Sequence, residues 1–188
     1  MARSRLERSS KTTTEERKAE DARFRQEYPL FAQYPELIYL DNAATTQKPS
    51  CVIQAESAFY EKYNANPFRG VYELAEFATE HYEEARAAVA ELLHANTDEI
   101  VFTRNASESL NLIAYSLGNL VLRPGDEVLV SIMEHHSNLL VWQQAAKRTG
   151  ATLRYLDCTQ DGKITAEMVE AAITDKTKIF AVTQISNV

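Results

Sequence analysis

Val128-Leu129-Val130-Ser131-Ile132-Met133-Glu134-His135-His136-Ser137-Asn138 is the stretch that decides the fold. Its opening triplet is apolar on every residue, and its close is polar on nearly every one. A short unbroken apolar run bounded by turn signals predicts a strand covered on both faces. Upstream, Pro124-Gly125-Asp126 marks a turn. Downstream, Leu139 to Arg148 predicts a helix that Gly150 stops. Thr152 to Leu156 then predicts extended chain, Ala166 to Ile173 a helix, and Ile179-Phe180-Ala181-Val182 another strand. Before the opening turn, Leu110, Ile113, Ala114 and Leu117 predict a helix, preceded by a strand at Ile100-Val101-Phe102. Strands alternating with helices across short turns predict right-handed βαβ units on a mostly parallel sheet, an α/β fold.

The first half of the chain is helical in pattern. Thr13 with Glu16 three residues later forms a capping box, and the helix it opens should end before Pro29. Leu37-Ile38-Tyr39-Leu40 is a short extended run stopped by the polar loop Asp41 to Thr46. Pro49 and Ser50 open a helix that carries Val52, Ile53, Phe59, Tyr60 and Tyr63 on one face. After Gly70, Val71, Leu74, Ala78, Tyr82, Ala85, Val89 and Leu92 recur at helical spacing, a stripe expected to be core. Residues 1–27 are expected to be a flexible start and a helical arm, and residues 28–188 one α/β domain.

At 188 residues, 45% hydrophobic and 25% charged, the chain has globular composition. No apolar run reaches the ~20 residues that span a bilayer. The first residues lack a secretory apolar stretch, and two cysteines, Cys51 and Cys158, make no disulfide framework. These features predict a soluble cytoplasmic protein with no membrane partner. The net charge of −7 divides into +2 over residues 1–27 and −9 over the remainder. An acidic body argues against nucleic acid as a partner. No G-x-G-x-x-G or Walker A pattern is present, which removes the usual dinucleotide and nucleotide readings.

Four segments could carry chemistry. Thr103 to Glu108 follows an expected strand and opens a helix, where free N–H groups and the helix dipole favour phosphate, with Ser107 adding a hydroxyl. The alternative is plain capping by Asn105 or Ser107. Glu134 to Asn138 holds the equivalent place after the next strand, where an imidazole could stack on a planar ligand, shuttle protons, bind metal or merely cap. No metal-ligand spacing accompanies it, so no metal site is expected. Asp41-Asn42-Ala43-Ala44 and Phe68-Arg69-Gly70 are loops that could meet an anionic substrate or be ordinary turns. Cys51 begins a helix, where a thiolate is favoured, although burial as a small hydrophobe is the simpler reading.

In order and spacing these segments resemble the fold-type I, class V aminotransferase-like enzymes that use pyridoxal 5′-phosphate, within them the SUF-type cysteine desulfurases and selenocysteine lyases. The resemblance rests on Tyr39-Leu40-Asp41-Asn42-Ala43-Ala44 with Gln47-Lys48-Pro49, on Asn64-Ala65-Asn66 with Arg69-Gly70, and on Ala78-Thr79-Glu80. It continues through Ile100 to Arg104, Met133 to Asn138 with Trp142-Gln143, and Ile185-Ser186-Asn187-Val188. It implies that residues 28–188 are the N-terminal part of a pyridoxal-phosphate transferase large domain. It also implies a phosphate-binding turn at Ala106 and Ser107, a catalytic imidazole stacked on the cofactor at His135, and a cofactor contact from Asn187. The substrate-side loops fall at Asn42, Ala43, Ala44 and Arg69. The implied reaction takes sulfur from L-cysteine, or selenium from selenocysteine, leaves alanine, and passes the sulfur to an acceptor protein of iron–sulfur cluster assembly. A homodimer is implied for the complete enzyme.

The chain departs from the family pattern at three places. Asn105-Ala106-Ser107-Glu108 stands where the family usually has Gly-Thr-Thr-Glu, with Asn105 expected to take over a left-handed backbone from glycine. Phe68 and Tyr72 stand where histidines are frequent. The family's Schiff-base lysine, pyridine-binding aspartate and persulfide cysteine would all follow residue 188, and no lysine here has the expected His-Lys setting. The chain is therefore expected to be an N-terminal portion, inactive alone. Other class V activities, or a non-catalytic partner-binding chain, are the alternatives.

Overall fold

A computed structural model of the chain describes residues 13–186. The expected flexible start of the 1–27 segment and the cofactor contact expected at Asn187 lie outside the described residues. The chain divides into two compact units, Met1–Ile100 and Val101–Val188.

In the first unit, helix α1 (Thr14–Gln26) begins as the capping box requires. The Glu16 amide donates to Thr13 Oγ1 at 3.2 Å, and the Thr13 amide donates to Glu16 Oε2 at 2.8 Å. A short helix α2 (Pro29–Gln33) follows, with proline at its first position, where a missing N–H costs nothing. Arg25 Nη2 then donates to the carbonyls of Pro35 and Leu37 at 2.9 and 3.1 Å, fastening the run Leu37–Leu40, which joins no sheet. Helix α3 (Ser50–Ala58) passes into a π-helical turn, Phe59–Tyr63.

Helix α4 (Glu73–Leu93) corrects the expected core stripe. Its buried residues are Ala75, Ala78 and Ala90, whereas Leu74, Tyr82 and Leu92 are exposed and Val71 precedes the helix. The reason is the turn at Phe68-Arg69-Gly70, which lies down on the first turns of α4. A Cβ at Gly70 would stand 2.3 Å from that of Ala75. Thr79 Oγ1 accepts from the Phe68 amide at 2.9 Å and donates to the Ala75 carbonyl at 2.7 Å. At position 75 no side chain larger than alanine fits under so close a backbone, and of the expected stripe Ala78 is buried.

The second unit contains α5 (Ala106–Val121), β1 (Glu127–Ser131), α6 (His136–Thr149), β2 (Thr152–Leu156), α7 (Ala166–Ala172) and β3 (Thr177–Ala181). The sheet is parallel, in the order β2-β1-β3. The run Ile100–Phe102, expected as a strand, stays outside it. The Ile100 carbonyl accepts instead from Arg86 Nη1 at 2.5 Å, and Val101 is 69% exposed. Val128, Leu129 and Val130 are fully buried, as a central strand covered on both faces requires. Val128 and Val130 pack with Ala114 of α5, Val141, Trp142 and Ala145 of α6, and Ile179 and Ala181 of β3. Helices α5 and α6 approach closely at Gly118, where an added Cβ would lie 3.4 Å from that of Ala145.

At the amino end of the sheet, Glu127 accepts from Thr174 Oγ1 at 2.7 Å and from Arg154 Nη1 at 2.9 Å. The Thr174 hydroxyl first, and the Arg154 guanidinium second, hold its carboxyl below the ordinary value of 4.5. A folded-state value lower than the unfolded one contributes stability above pH 4.5 that is lost as pH falls through the folded value. Urea midpoints measured from pH 7 to 3 should therefore fall on the acid side, and Glu127→Gln should flatten part of that fall.

Two glycines should respond oppositely to alanine. Gly150 ends α6 at φ +76°, where a Cβ would also press on Pro124 at 3.3 Å. Gly150→Ala is expected to lose about 1–2 kcal/mol. Gly118 lies inside a helix with ordinary room for a methyl, so Gly118→Ala should be neutral or gain up to about 1 kcal/mol. Equilibrium urea unfolding of both variants measures the difference.

Candidate functional site

The second unit brings two helix N-termini together at the carboxyl side of its sheet, where ligands of open α/β sheets bind. Helix α5 is capped by Asn105, whose Oδ1 accepts from the Glu108 amide at 3.0 Å. Asn105 has φ −170°, an extended backbone, so the left-handed conformation expected there is not used. An N-cap residue takes β-region angles, and asparagine serves through its side chain instead. Glu108 turns back to accept from the Arg104 amide at 2.6 Å and pairs with the Arg104 guanidinium at 3.3 Å. The Arg104 amide, and next its guanidinium, lower the Glu108 carboxyl below the usual range. That carboxylate is thereby committed to Arg104. The amides of Ala106 and Ser107 and the Ser107 hydroxyl carry no hydrogen bond among the described residues. They are the orphan donors of a helix start, at the positive end of its dipole.

Helix α6 starts three residues earlier than its apolar pattern indicates, because His135 is its cap. His135 Nδ1 accepts from the Ser137 amide at 3.1 Å and lies 2.8 Å from Ser137 Oγ. An accepting Nδ1 puts the proton of the neutral ring on Nε2. The His135 and His136 rings stand edge to face, with centroids 6.3 Å apart. Ser107 and Asn111 from α5 share one cavity of about 370 Å³ with His135, His136 and Gln144. Both histidines are exposed to it, so geometry alone leaves either ring available.

Of the expected site residues, Ser107 and His135 are brought together, with Ala106 beside Ser107. Asn42, Ala43, Ala44 and Arg69 belong to the first unit, where all four are exposed. The loop of Asn42, Ala43 and Ala44 is held from within: the Asp41 carbonyl accepts from the Ala44 and Thr45 amides at 3.2 Å each and from Tyr39 Oη at 3.2 Å.

Glu134 and Asn138 lie in a segment that the sequence marks for its histidines, but they receive no role there. Glu134 Oε1 accepts from Ser131 Oγ and from the Thr183 amide, each at 2.6 Å, and Oε2 accepts from Asn138 Nδ2 at 2.7 Å. Asn138 Oδ1 in turn accepts from Trp142 Nε1 at 3.0 Å. The i, i+4 spacings of Glu134, Asn138 and Trp142 could have suggested this ladder, but its Thr183 end lies beyond any local pattern.

Comparison with known proteins places this geometry in context. The family model described as aminotransferase class-V matches residues 38–188. A probable cysteine desulfurase of Halalkalibacterium halodurans is 50% identical over 153 residues, covering 81% of this chain and 38% of that protein. One from Streptomyces coelicolor is 49% identical over 157 residues, covering 81% and 38% respectively. The chain thus spans about two fifths of the length of these relatives. Among solved structures, the apo cysteine desulfurase of Thermococcus onnurineus NA1 superposes with a TM-score of 0.81 at 41% identity, covering 89% of this chain and 40% of that one. A cysteine desulfurase of Escherichia coli gives 0.77 at 38% identity, covering 89% and 42%. With a parallel βαβ sheet of the same fold and a match from residue 38 to residue 188, this chain belongs to the class V aminotransferase family.

Proposed function

We propose that this chain supplies the phosphate- and ring-binding segment of a pyridoxal 5′-phosphate-dependent cysteine desulfurase. The observation that carries the reading is the shared cavity, which Ser107, with an amide and hydroxyl unpartnered among the described residues, lines together with His135. The site fits the cofactor on its own terms. A helix start with free amides suits a phosphate dianion, and about 370 Å³ lies within the range of small-ligand pockets. A histidine whose Nδ1 is held by Ser137 has its ring plane fixed for stacking. When bound, the cofactor supplies an electron sink for the pair released as the substrate's Cα proton leaves.

The chain's own residues do the rest of what this reading requires. Ser107 and the two amides would orient the phosphate, and His135 would cover the ring while holding a proton at Nε2. Among the described residues no lysine lines the cavity, so the amine that captures the cofactor's aldehyde would come from outside this segment. Asn187 would add a contact to the ring. Asn42, Ala43, Ala44 and Arg69 would face the substrate, L-cysteine or selenocysteine. Transfer of sulfur to an acceptor protein of iron–sulfur cluster assembly, a homodimeric state and a cytoplasmic location complete the reading. The relatives' names support its desulfurase part.

Three substitutions in the enzyme that carries this segment test the reading. Ser107→Ala removes a hydrogen bond to a charged group and should weaken cofactor binding roughly tenfold or more in fluorescence titration. Unchanged affinity would return the α5 start to simple capping. His135→Ala should alter the bound cofactor's absorption band more than His136→Ala does. The reverse order would transfer the stacking role to His136.

A further inference from the structure

Glu134 sits where the carboxyl ends of two neighbouring strands meet. Its three donors come from the end of β1 (Ser131), the first turn of α6 (Asn138) and the chain after β3 (Thr183). A second tie, from Ser186 Oγ to the Met133 carbonyl at 2.9 Å, joins the same two loops. Ser131 is fully buried and Trp142 is 4% exposed, so the ladder runs into the packed interior of the unit.

The polarity of this ladder is forced from one end. An indole N–H can only donate. Trp142 therefore fixes the Asn138 amide with Oδ1 toward the indole and Nδ2 toward Glu134. Ser131 and Thr183 present donors to the other Glu134 oxygen. Position 134 must then accept on both sides, which a carboxylate does and an amide cannot. The Asn138 backbone amide donates to the His135 carbonyl at 2.8 Å, so whatever holds Asn138 also holds His135.

We propose that Glu134 is a positioning residue, an acceptor-only clamp whose polarity is set by Trp142 through Asn138 and which ties the His135 loop to the chain after β3. The significance of the clamp for cofactor binding rests on the function proposed above; the clamp itself does not. Exchange for glutamine is isosteric, yet in either amide orientation it sets a donor against a donor. Removing the indole N–H frees the Asn138 amide to turn over, after which glutamine fits.

A double-mutant cycle on the full chain in urea tests this polarity. Glu134→Gln is expected to lower the folding equilibrium constant about tenfold alone and to cost nearly nothing when combined with Trp142→Phe. His135 imidazole resonances should shift in the single variant and return in the double one, a rescue that general loss of packing would not give. Equal cost in both backgrounds, or no cost in either, overturns the proposal. Should Trp142→Phe fail to fold, scalar couplings across the hydrogen bonds decide in the unaltered chain. Couplings from Thr183 N and Asn138 Nδ2 to the Glu134 carboxyl carbon support the clamp, and their absence overturns it. None of these readouts uses cofactor, so failure of the clamp and failure of the cofactor reading are told apart.

Discussion

Val128, Leu129 and Val130 are shut away from water together, and the second unit is arranged around that fact. Each such side chain contributes about 1.5–3 kcal/mol on burial, but a strand covered on both faces can satisfy its backbone only sideways. β2 and β3 provide those partners, both in parallel register. Parallel pairing needs crossovers, and α6 and α7 supply them. The crossover places the start of α6 at the carboxyl end of β1, and α5 packs against α6 so that its own start opens onto the same cavity.

The two helix starts are capped by different means, and the difference leaves free donors at one and an anchored ring at the other. Asn105 satisfies the third helical amide with its side-chain oxygen and leaves the first two donors free. His135 caps with a ring nitrogen, which fixes both the tautomer and the ring plane. Behind them Glu134 collects three donors on one carboxylate. Strand burial thus leads to a crossover, the crossover to a capped helix start, and the cap to an oriented imidazole.

Much of this was legible in the sequence where short-range physics decides. The capping box at Thr13, the β2 run Thr152 to Leu156 and the stop at Gly150 depend on neighbours a few residues apart, and they occur as read. Longer-range conditions were not legible. Ile100–Phe102 has a strand's composition but gives the Ile100 carbonyl to Arg86. The α4 stripe has a core's spacing, yet Leu74, Tyr82 and Leu92 are exposed, and the turn at Gly70 packs on Ala75 instead. The start of α6 was misplaced because histidine is an unusual cap. At the site, the α5 start at Ser107 and the His135-His136 pair could be singled out by their places after apolar runs, whereas the choice of His135 rests on the family resemblance. Glu134 could not be, because Thr183 lies 49 residues away.

The central claim, that the paired helix starts hold the phosphate and ring of the cofactor, is tested most directly by following backbone amide and imidazole resonances during titration with pyridoxamine 5′-phosphate. That probe keeps the phosphate and ring but has no aldehyde to react with surface lysines. Saturable shifts at Ala106, Ser107 and His135, with His81 and His94 unmoved, are the predicted result. Shifts scattered over lysine-bearing surfaces, or none at Ala106 and Ser107 at millimolar probe, would contradict it.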